Sequence, residues 1–435
     1  MQKFATIICL FILVNTFAQP LYFPPKNNST WDTISPRTLG WCNDDIDSLY
    51  TYLGNANSDA FIYLKNGKIV LEKYFGSFTA DSIHYWASAG KSLTAMMIGI
   101  AQQKGKLNIN DTVSKYLGTS WTSESLEKEN KITIKHLLTM TSGLDDNPTQ
   151  PCDNLSQTAT CLQYKADAGT RWAYHSGAYR KLEDVITAAN GTNYNTASYD
   201  WLESKTGMNG FWFNSVYYSN ARDMARYGLL TLNRGIWQAD TVLNDTSYFR
   251  AMINTSQNKN LSYGYLWWLN GKNSVMLPGT QTVFPTKLIP NAPDDLFCAL
   301  GKNDQKIYVI PSTKTVIVRF GDSNFGNDAS SPFDTMLWNY INRLDNSCLT
   351  TAVIQQNKSN TVIKLFPNPA NNFISFSGFV SNNNIHYAIA NMLGEIVKED
   401  VTLNHSIDIS DLPSGQYYML LNDDMQQASK QFIKL

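Results

Sequence analysis

The chain has 435 residues, enough for two or three domains and a large core. Its 35 Lys and Arg against 36 Asp and Glu leave a formal net charge of −1. Balanced charge with 12% aromatic residues gives no sign of a basic face, which argues against nucleic acid or an anionic membrane as a partner.

Residues 1–18 read as a secretory signal: Lys3, an apolar run from Phe4 to Val14, then Thr16-Phe17-Ala18, whose small residues suit a signal peptidase and leave Gln19 first. The run is too short to span a bilayer, and no later segment reaches spanning length, so an exported, soluble protein is expected. Cys9 leaves with the signal, so five of the six cysteines remain. Cys152 and Cys161 flank a short polar loop and can pair. Cys298 lies in an apolar strand-like run that suits a buried thiol, and the odd count leaves at least one cysteine unpaired.

A Pro-, Asn- and Thr-rich lead-in (19–37) precedes an amphipathic helix from Asn43 to Leu53. Next, Ala60 to Leu64 and Ile69 to Leu71 flank Lys65-Asn66-Gly67-Lys68. Asn-Gly between apolar runs predicts an antiparallel hairpin. From Leu93 to Ala101 the chain is apolar nearly all round, the mark of a buried helix, which should end near Gly105. Helix and loop then continue to about Asn260. The helices expected are Ile132 to Met140, Ser176 to Ala189 closed by Asn190-Gly191, and Asn220 to Leu232 capped by Ser219. Strand character returns at Tyr263 to Trp268, Phe297 to Ala299, Lys306 to Ile310 and Thr315 to Phe320, before a closing helix from Pro332 to Leu344. Strands at both ends of 38–345 with helices between them predict an α+β fold. An antiparallel sheet covered by terminal helices joins a helical half, with a cleft between the two. Residues 346–360 read as a polar linker, and the short alternating strands of 361–435 as a small all-β sandwich.

The buried helix opens on Ser88-Ala89-Gly90-Lys91. Residues at i and i+3 share a helix face, so Lys91 can sit beside the Ser88 hydroxyl. Burial drives an ammonium towards the neutral amine, and a neutral amine one turn from a hydroxyl suits a general base for a serine nucleophile. Two further Ser-x-x-Lys patterns, Ser125 to Lys128 and Ser256 to Lys259, lie in polar stretches where both side chains would be solvated. A third group could relay the proton. Tyr174, just ahead of a helix and near Lys91, could act as a base if that cation lowers its phenol pKa; spacing alone does not prefer it to Tyr218. His84, His136, His175, His386 and His405 are scattered, with no metal-ligand spacing, and neither a metal nor a cofactor is expected.

Ser88-Ala89-Gly90-Lys91, Leu137 to Leu144, and Gly169-Thr170 leading to Tyr174-His175-Ser176 together resemble the serine hydrolase family of class C β-lactamases. That family includes penicillin-binding carboxypeptidases, esterases and 6-aminohexanoate-dimer hydrolases, and Ala299 to Pro311 is most similar to the last of these. The resemblance spans about residues 38–345. It implies a β-lactamase/transpeptidase-like fold, Ser88 as the acylated nucleophile, Lys91 and Tyr174 as proton carriers, and the Ser88 N–H as half of the oxyanion hole. The Lys302 N–H is the second donor expected, with Gly301 and Ser176 in supporting positions. Two departures stand out: Ser176 ends a Tyr-x-Asn pattern, and Ala299-Leu300-Gly301 replaces Lys-Thr-Gly, removing its lysine. Strand alternation would turn the Lys302 side chain away from its neighbours' face. Loss of that lysine disfavours substrates bearing a carboxylate, and so favours hydrolysis of a small ester or amide. The alternatives are a peptidoglycan carboxypeptidase or weak β-lactamase, and a non-catalytic ligand sensor. If the first and last strands are neighbours as in the family, Cys42 and Cys348 come close together.

Leu365-Phe366-Pro367-Asn368-Pro369-Ala370, Asn391-Met392-Leu393-Gly394, Leu412 to Tyr418 and Lys430 to Leu435 resemble the C-terminal sorting domain of the type IX secretion system. This implies that secretion machinery as a partner, passage across an outer membrane, and release or attachment at the cell surface. A carbohydrate-binding or adhesive sandwich is the alternative.

Overall fold

The computed structural model describes residues 21–27, 29–322, 331–345, 348, 363–378, 385–391, 396–402, 404–422 and 427–435. The expected signal peptide, the linker apart from Cys348, and Met392 to Gly394 lie outside the described residues. Two compact units divide the chain, Met1–Thr350 and Thr351–Leu435.

In the first unit, α1 (Asn43–Asn55) leads into the hairpin of β1 (Ser58–Lys65) and β2 (Lys68–Tyr74). The lead-in crosses its turn so closely that a Cβ on Gly67 would overlap the Tyr22 carbonyl oxygen. Then come α2 (Lys91–Gln103), α3 (Ser176–Asn190) and α4 (Ala221–Leu232). The chain returns to the sheet through β3 (Trp268–Leu269), β4 (Phe297–Gly301), β5 (Gln305–Ile310) and β6 (Thr315–Gly321), and α5 (Pro332–Leu344) follows. The sheet order is β2-β1-β6-β5-β4-β3. Its pairs are all antiparallel, and the order makes the first and last long strands, β1 and β6, neighbours.

Helices cover both faces. Gly228 of α4 sits so close to the sheet that a Cβ there would meet Val316 Cγ1 at 2.4 Å and Ile307 Cγ2 at 3.3 Å. Lys306 and Tyr308 alternate with Ile307 and therefore point to the other face, where both bond Asp334 of α5. There α1 packs on α5, with the Tyr52 ring stacked on Tyr340 at 4.9 Å. Cys42 at the head of α1 is disulfide-bonded to Cys348, Cys152 pairs with Cys161, and Cys298 is a buried free thiol.

Two local expectations are corrected. Tyr263 to Trp268 does not run as one strand. Leu266 takes φ 58° and Gly264 N bonds Trp267 O at 2.9 Å, so the segment doubles back and buries its aromatic rings in a turn. Helix α4 is capped by Asn220, whose Oδ1 accepts from Asp223 N at 2.8 Å. Ser219 instead accepts from Trp86 Nε1 at 2.9 Å, a tertiary contact with no local signal.

The second unit has a three-stranded sheet (Lys364–Phe366, Phe373–Ser377, Ser406–Asp408) and a four-stranded one (Ile396–Thr402, Ile385–Ala390, Gly415–Asn422, Gln427–Lys434). Ile374, Phe376 and Ile407 of the first sheet share one core with Ile389, Met419 and Phe432 of the second. It is a small antiparallel sandwich.

Candidate active site

Ser88 lies in a tight turn, Ala87–Gly90, that runs directly into α2. Ala87 takes φ 48°, an uncommon value for a residue with a Cβ, and the sharp bend leaves Ser88 half-exposed while Trp86, Ala89 and Gly90 are buried. The turn is held from behind: Trp86 N donates to Tyr217 O at 2.8 Å, and Ala89 N to Trp86 O at 3.1 Å.

One turn on, Lys91 is 4% exposed and its Nζ lies 2.9 Å from Ser88 Oγ. Nζ also sits over the rings of Tyr179 and Tyr174, at 4.4 and 5.0 Å from their centroids. Burial, aided by the Arg180 guanidinium and opposed by Glu183, brings its pKa down to about 7. A large fraction is therefore neutral amine near neutral pH.

Tyr174 stands at the same point, its ring beside the Lys91 amine. The expectation that Lys91 lowers its phenol pKa is overturned. Burial among Trp172, Tyr263 and Trp268 drives it well up instead. Asn154 fixes the loop: its Nδ2 donates to Tyr174 O at 2.9 Å and its Oδ1 accepts from Ser176 N at 2.9 Å. Asn154 lies inside the Cys152–Cys161 loop, and nothing in the sequence marks it. Ser176 is buried at the head of α3. Tyr218, the alternative by spacing, pairs with Tyr85 and Phe211 instead, on a small sheet beside the site.

Gly301 ends β4 against the serine turn. Because the strand stops there, alternation does not govern Lys302, which begins a turn with its side chain exposed. That turn is braced from within: Arg319 Nη1 donates to Asn303 O at 2.8 Å, and Lys306 Nζ bridges Asp304 and Asp334 at 2.9 and 2.8 Å. Among the described residues no group of three His, Cys, Asp or Glu side chains is placed to hold a metal.

The Beta-lactamase family profile matches residues 46–332, more than half of the chain. The chain belongs to the Beta-lactamase family. Hydrolases of this family are serine hydrolases, class C-like and penicillin-binding proteins among them. Residues 364–435 match the Secretion system C-terminal sorting domain, which directs this Beta-lactamase family protein to secretion or the outer surface through the type IX machinery. No described helix is long and apolar enough to cross a membrane. The chain is 24% identical over 306 residues to an uncharacterized protein of Alkalihalophilus pseudofirmus, covering 61% of this chain and 83% of that one. It is 29% identical over 150 residues to the teichoic acid D-alanine hydrolase of Staphylococcus aureus, covering 32% of this chain and spanning 36% of that enzyme. A Bacillus anthracis structure described as a candidate 6-aminohexanoate-dimer hydrolase has the same fold, with TM-score 0.56, 18% identity, and 77% of this chain and 92% of that one covered.

Proposed function

We propose that the protein hydrolyses a small ester or amide through an acyl-enzyme on Ser88. The observation that carries this reading is Lys91 Nζ at 2.9 Å from Ser88 Oγ, in a buried setting that brings the lysine down to about 7. As a neutral amine Lys91 accepts the Ser88 proton while Oγ attacks the substrate carbonyl. The Ser88 and Lys302 N–H groups are assigned to the resulting oxyanion, a reading supported by Gly301, which lets β4 close on the serine turn. Collapse breaks the bond to the leaving group, which takes its proton from the Tyr174 hydroxyl, and Lys91 replaces that proton. Tyr174 thus acts as a neutral donor and relay rather than as a phenolate base, in keeping with its raised pKa. Water then attacks the acyl-enzyme, giving its proton back along the same path to regenerate Ser88.

Ala299 holds the place where the Lys-Thr-Gly pattern carries its cation, which supports substrates without a carboxylate at that position over D-Ala-D-Ala peptides and β-lactams. The relative named for teichoic acid D-alanine hydrolysis supports a hydrolytic role over a purely ligand-sensing one. A fluorophosphonate probe is expected to label Ser88, and Ser88→Ala to abolish labelling and turnover. A panel of p-nitrophenyl esters, amide dimers, a chromogenic cephalosporin and D-amino peptides identifies the substrate class. Appreciable hydrolysis by the alanine variant would remove Ser88 from its role.

A further inference from the structure

Beside the serine turn lies a small antiparallel sheet whose centre is Val216–Ser219, flanked by His84–Tyr85 and by the edge strand Phe211–Phe213. Tyr218 pairs with Tyr85 on one side and with Phe211 on the other, and Phe213 pairs with Val216. Directly opposed residues share a face, so Tyr85, Tyr218 and Phe211 form a row, with Phe213 and Val216 beside it. The opposite face carries Trp212, Tyr217 and Ser219, all buried. The aromatic face is open: Phe211 is 46% and Phe213 60% exposed, and the Phe211 and Tyr218 rings stack at 5.3 Å and 7°. Residues 211–219 contain no charged side chain.

This face joins the candidate site at two points. Tyr85 is three residues before Ser88, and its hydroxyl accepts from Asn303 Nδ2 at 2.8 Å, next to Lys302. At the other end Tyr179, whose ring lies under the Lys91 amine, donates to Ser215 O at the hairpin tip at 3.3 Å. The edge strand is not open for strand addition at Trp212. Its N–H donates to Asn195 Oδ1 at 2.7 Å and its carbonyl accepts from Asn195 Nδ2 at 2.9 Å. What is left uncovered is a ring surface, not a backbone edge.

We infer that the face of Tyr85, Tyr218, Phe211 and Phe213 is a subsite for an uncharged apolar arm, alkyl or aryl, of the substrate cleaved at Ser88. The inference rests on the hydrolase reading above. Three strands about 4.8 Å apart give a platform about 10 Å across, long enough for an arm well beyond acetyl.

The test is the ratio of kcat/KM for p-nitrophenyl octanoate to that for p-nitrophenyl acetate, with hexyl and phenylethyl acetates against ethyl acetate to read an arm on the alcohol side. Using a ratio discounts any loss of folded protein, which lowers both terms alike. In the Phe211→Ser/Phe213→Ser double variant the ratio should fall about tenfold in one of the two series, as expected for losing contact with a buried ring. Phe211→Leu/Phe213→Leu should recover part of it. Where the octanoate series is the one that falls, octanamide binding to the Ser88→Ala protein, read by calorimetry against propionamide, should weaken in step when the phenylalanines are replaced. Where the alcohol series falls, N-hexylacetamide against N-ethylacetamide should do so. Turnover persisting in Ser88→Ala would sink the nucleophile assignment while the octanamide comparison still reads the platform. Unchanged ratios in both series, octanamide binding that stays unchanged while the octanoate ratio falls, or a dimer that the double variant dissociates would each overturn the subsite.

Discussion

A Cβ on Gly301 would stand 2.5 Å from the Trp86 carbonyl oxygen and 3.1 Å from Ala89 N, so β4 closes on the Ser88 turn only because residue 301 has no side chain. The obstructing atoms are backbone and cannot swing aside. Gly301→Ala should therefore push β4 off the turn, at a cost of about 1–3 kcal/mol in stability. Displacing an oxyanion donor by about 1 Å should slow fluorophosphonate labelling about a hundredfold. Labelling at the wild-type rate in a folded Gly301→Ala protein would show that β4 has no part in the reaction.

The pH profile should report Lys91. With its pKa at about 7, kcat/KM should fall tenfold per unit on the acid side of that value, as the amine protonates and can no longer accept the Ser88 proton. Arg180 disfavours the ammonium and Glu183 favours it. Arg180→Gln should then move the acid limb to lower proton concentration only if that push is reversed; by the stated sign, losing the guanidinium raises the Lys91 pKa and moves the limb to higher pH. Glu183, itself raised by burial to about 7, loses its charge over the same range, so Glu183→Gln should move the limb to lower pH by less. Limbs that stay in place in both variants would mean that another group titrates.

Glu203 lies buried, accepting from Ser198 Oγ at 2.6 Å, and burial pushes its pKa up to about 7. A carboxyl raised in the folded state contributes stability that is fully present below its unfolded value of 4.5 and is lost as pH rises through about 7. The loss is on the order of 3 kcal/mol for a shift of this size. Glu203→Gln should raise the melting temperature at pH 8 and change it little at pH 4.5. Equal shifts at the two pH values would contradict the raised pKa.

The Cys42–Cys348 bridge closes a separation of 306 residues, whereas Cys152–Cys161 closes only 9. By chain entropy the long bridge is worth at most about 5–6 kcal/mol and the short one about 2–3. A Cys42→Ala/Cys348→Ala protein should lose more denaturant stability than Cys152→Ala/Cys161→Ala. The short bridge should tell in turnover instead, since its loop holds Asn154 against Tyr174. Mass mapping of a non-reduced digest checks both pairings.

Removal of Thr361 to Leu435 should leave turnover by the purified protein within a few-fold, because every residue assigned to the site lies in the first unit. In the native cell the truncated form should stay in the periplasm. Its normal appearance in the medium or on the surface would count against a sorting role.

Periodicity and turn chemistry were enough for the sheet-and-helix plan of the first unit. The Asn66-Gly67 hairpin forms, and Pro332 to Leu344 is the closing helix, because caps and turns act within a few residues. Ser88 beside Lys91 was equally legible, since i and i+3 meet on any helix. The Tyr263 to Trp268 turn was not. Strand and turn bury the same aromatic residues, and tertiary contacts such as Tyr265 N on the Met252 carbonyl at 3.0 Å decide between them. Nor could sequence choose the charge state of Tyr174. That depends on how completely Trp172, Tyr263 and Trp268 exclude water from it, a property of packing between segments some ninety residues apart. Asn154, Tyr179 and the open Phe211–Phe213 face belong with it. Their meaning comes from what lies across space, and no local pattern encodes a neighbour that distant chain folding brings.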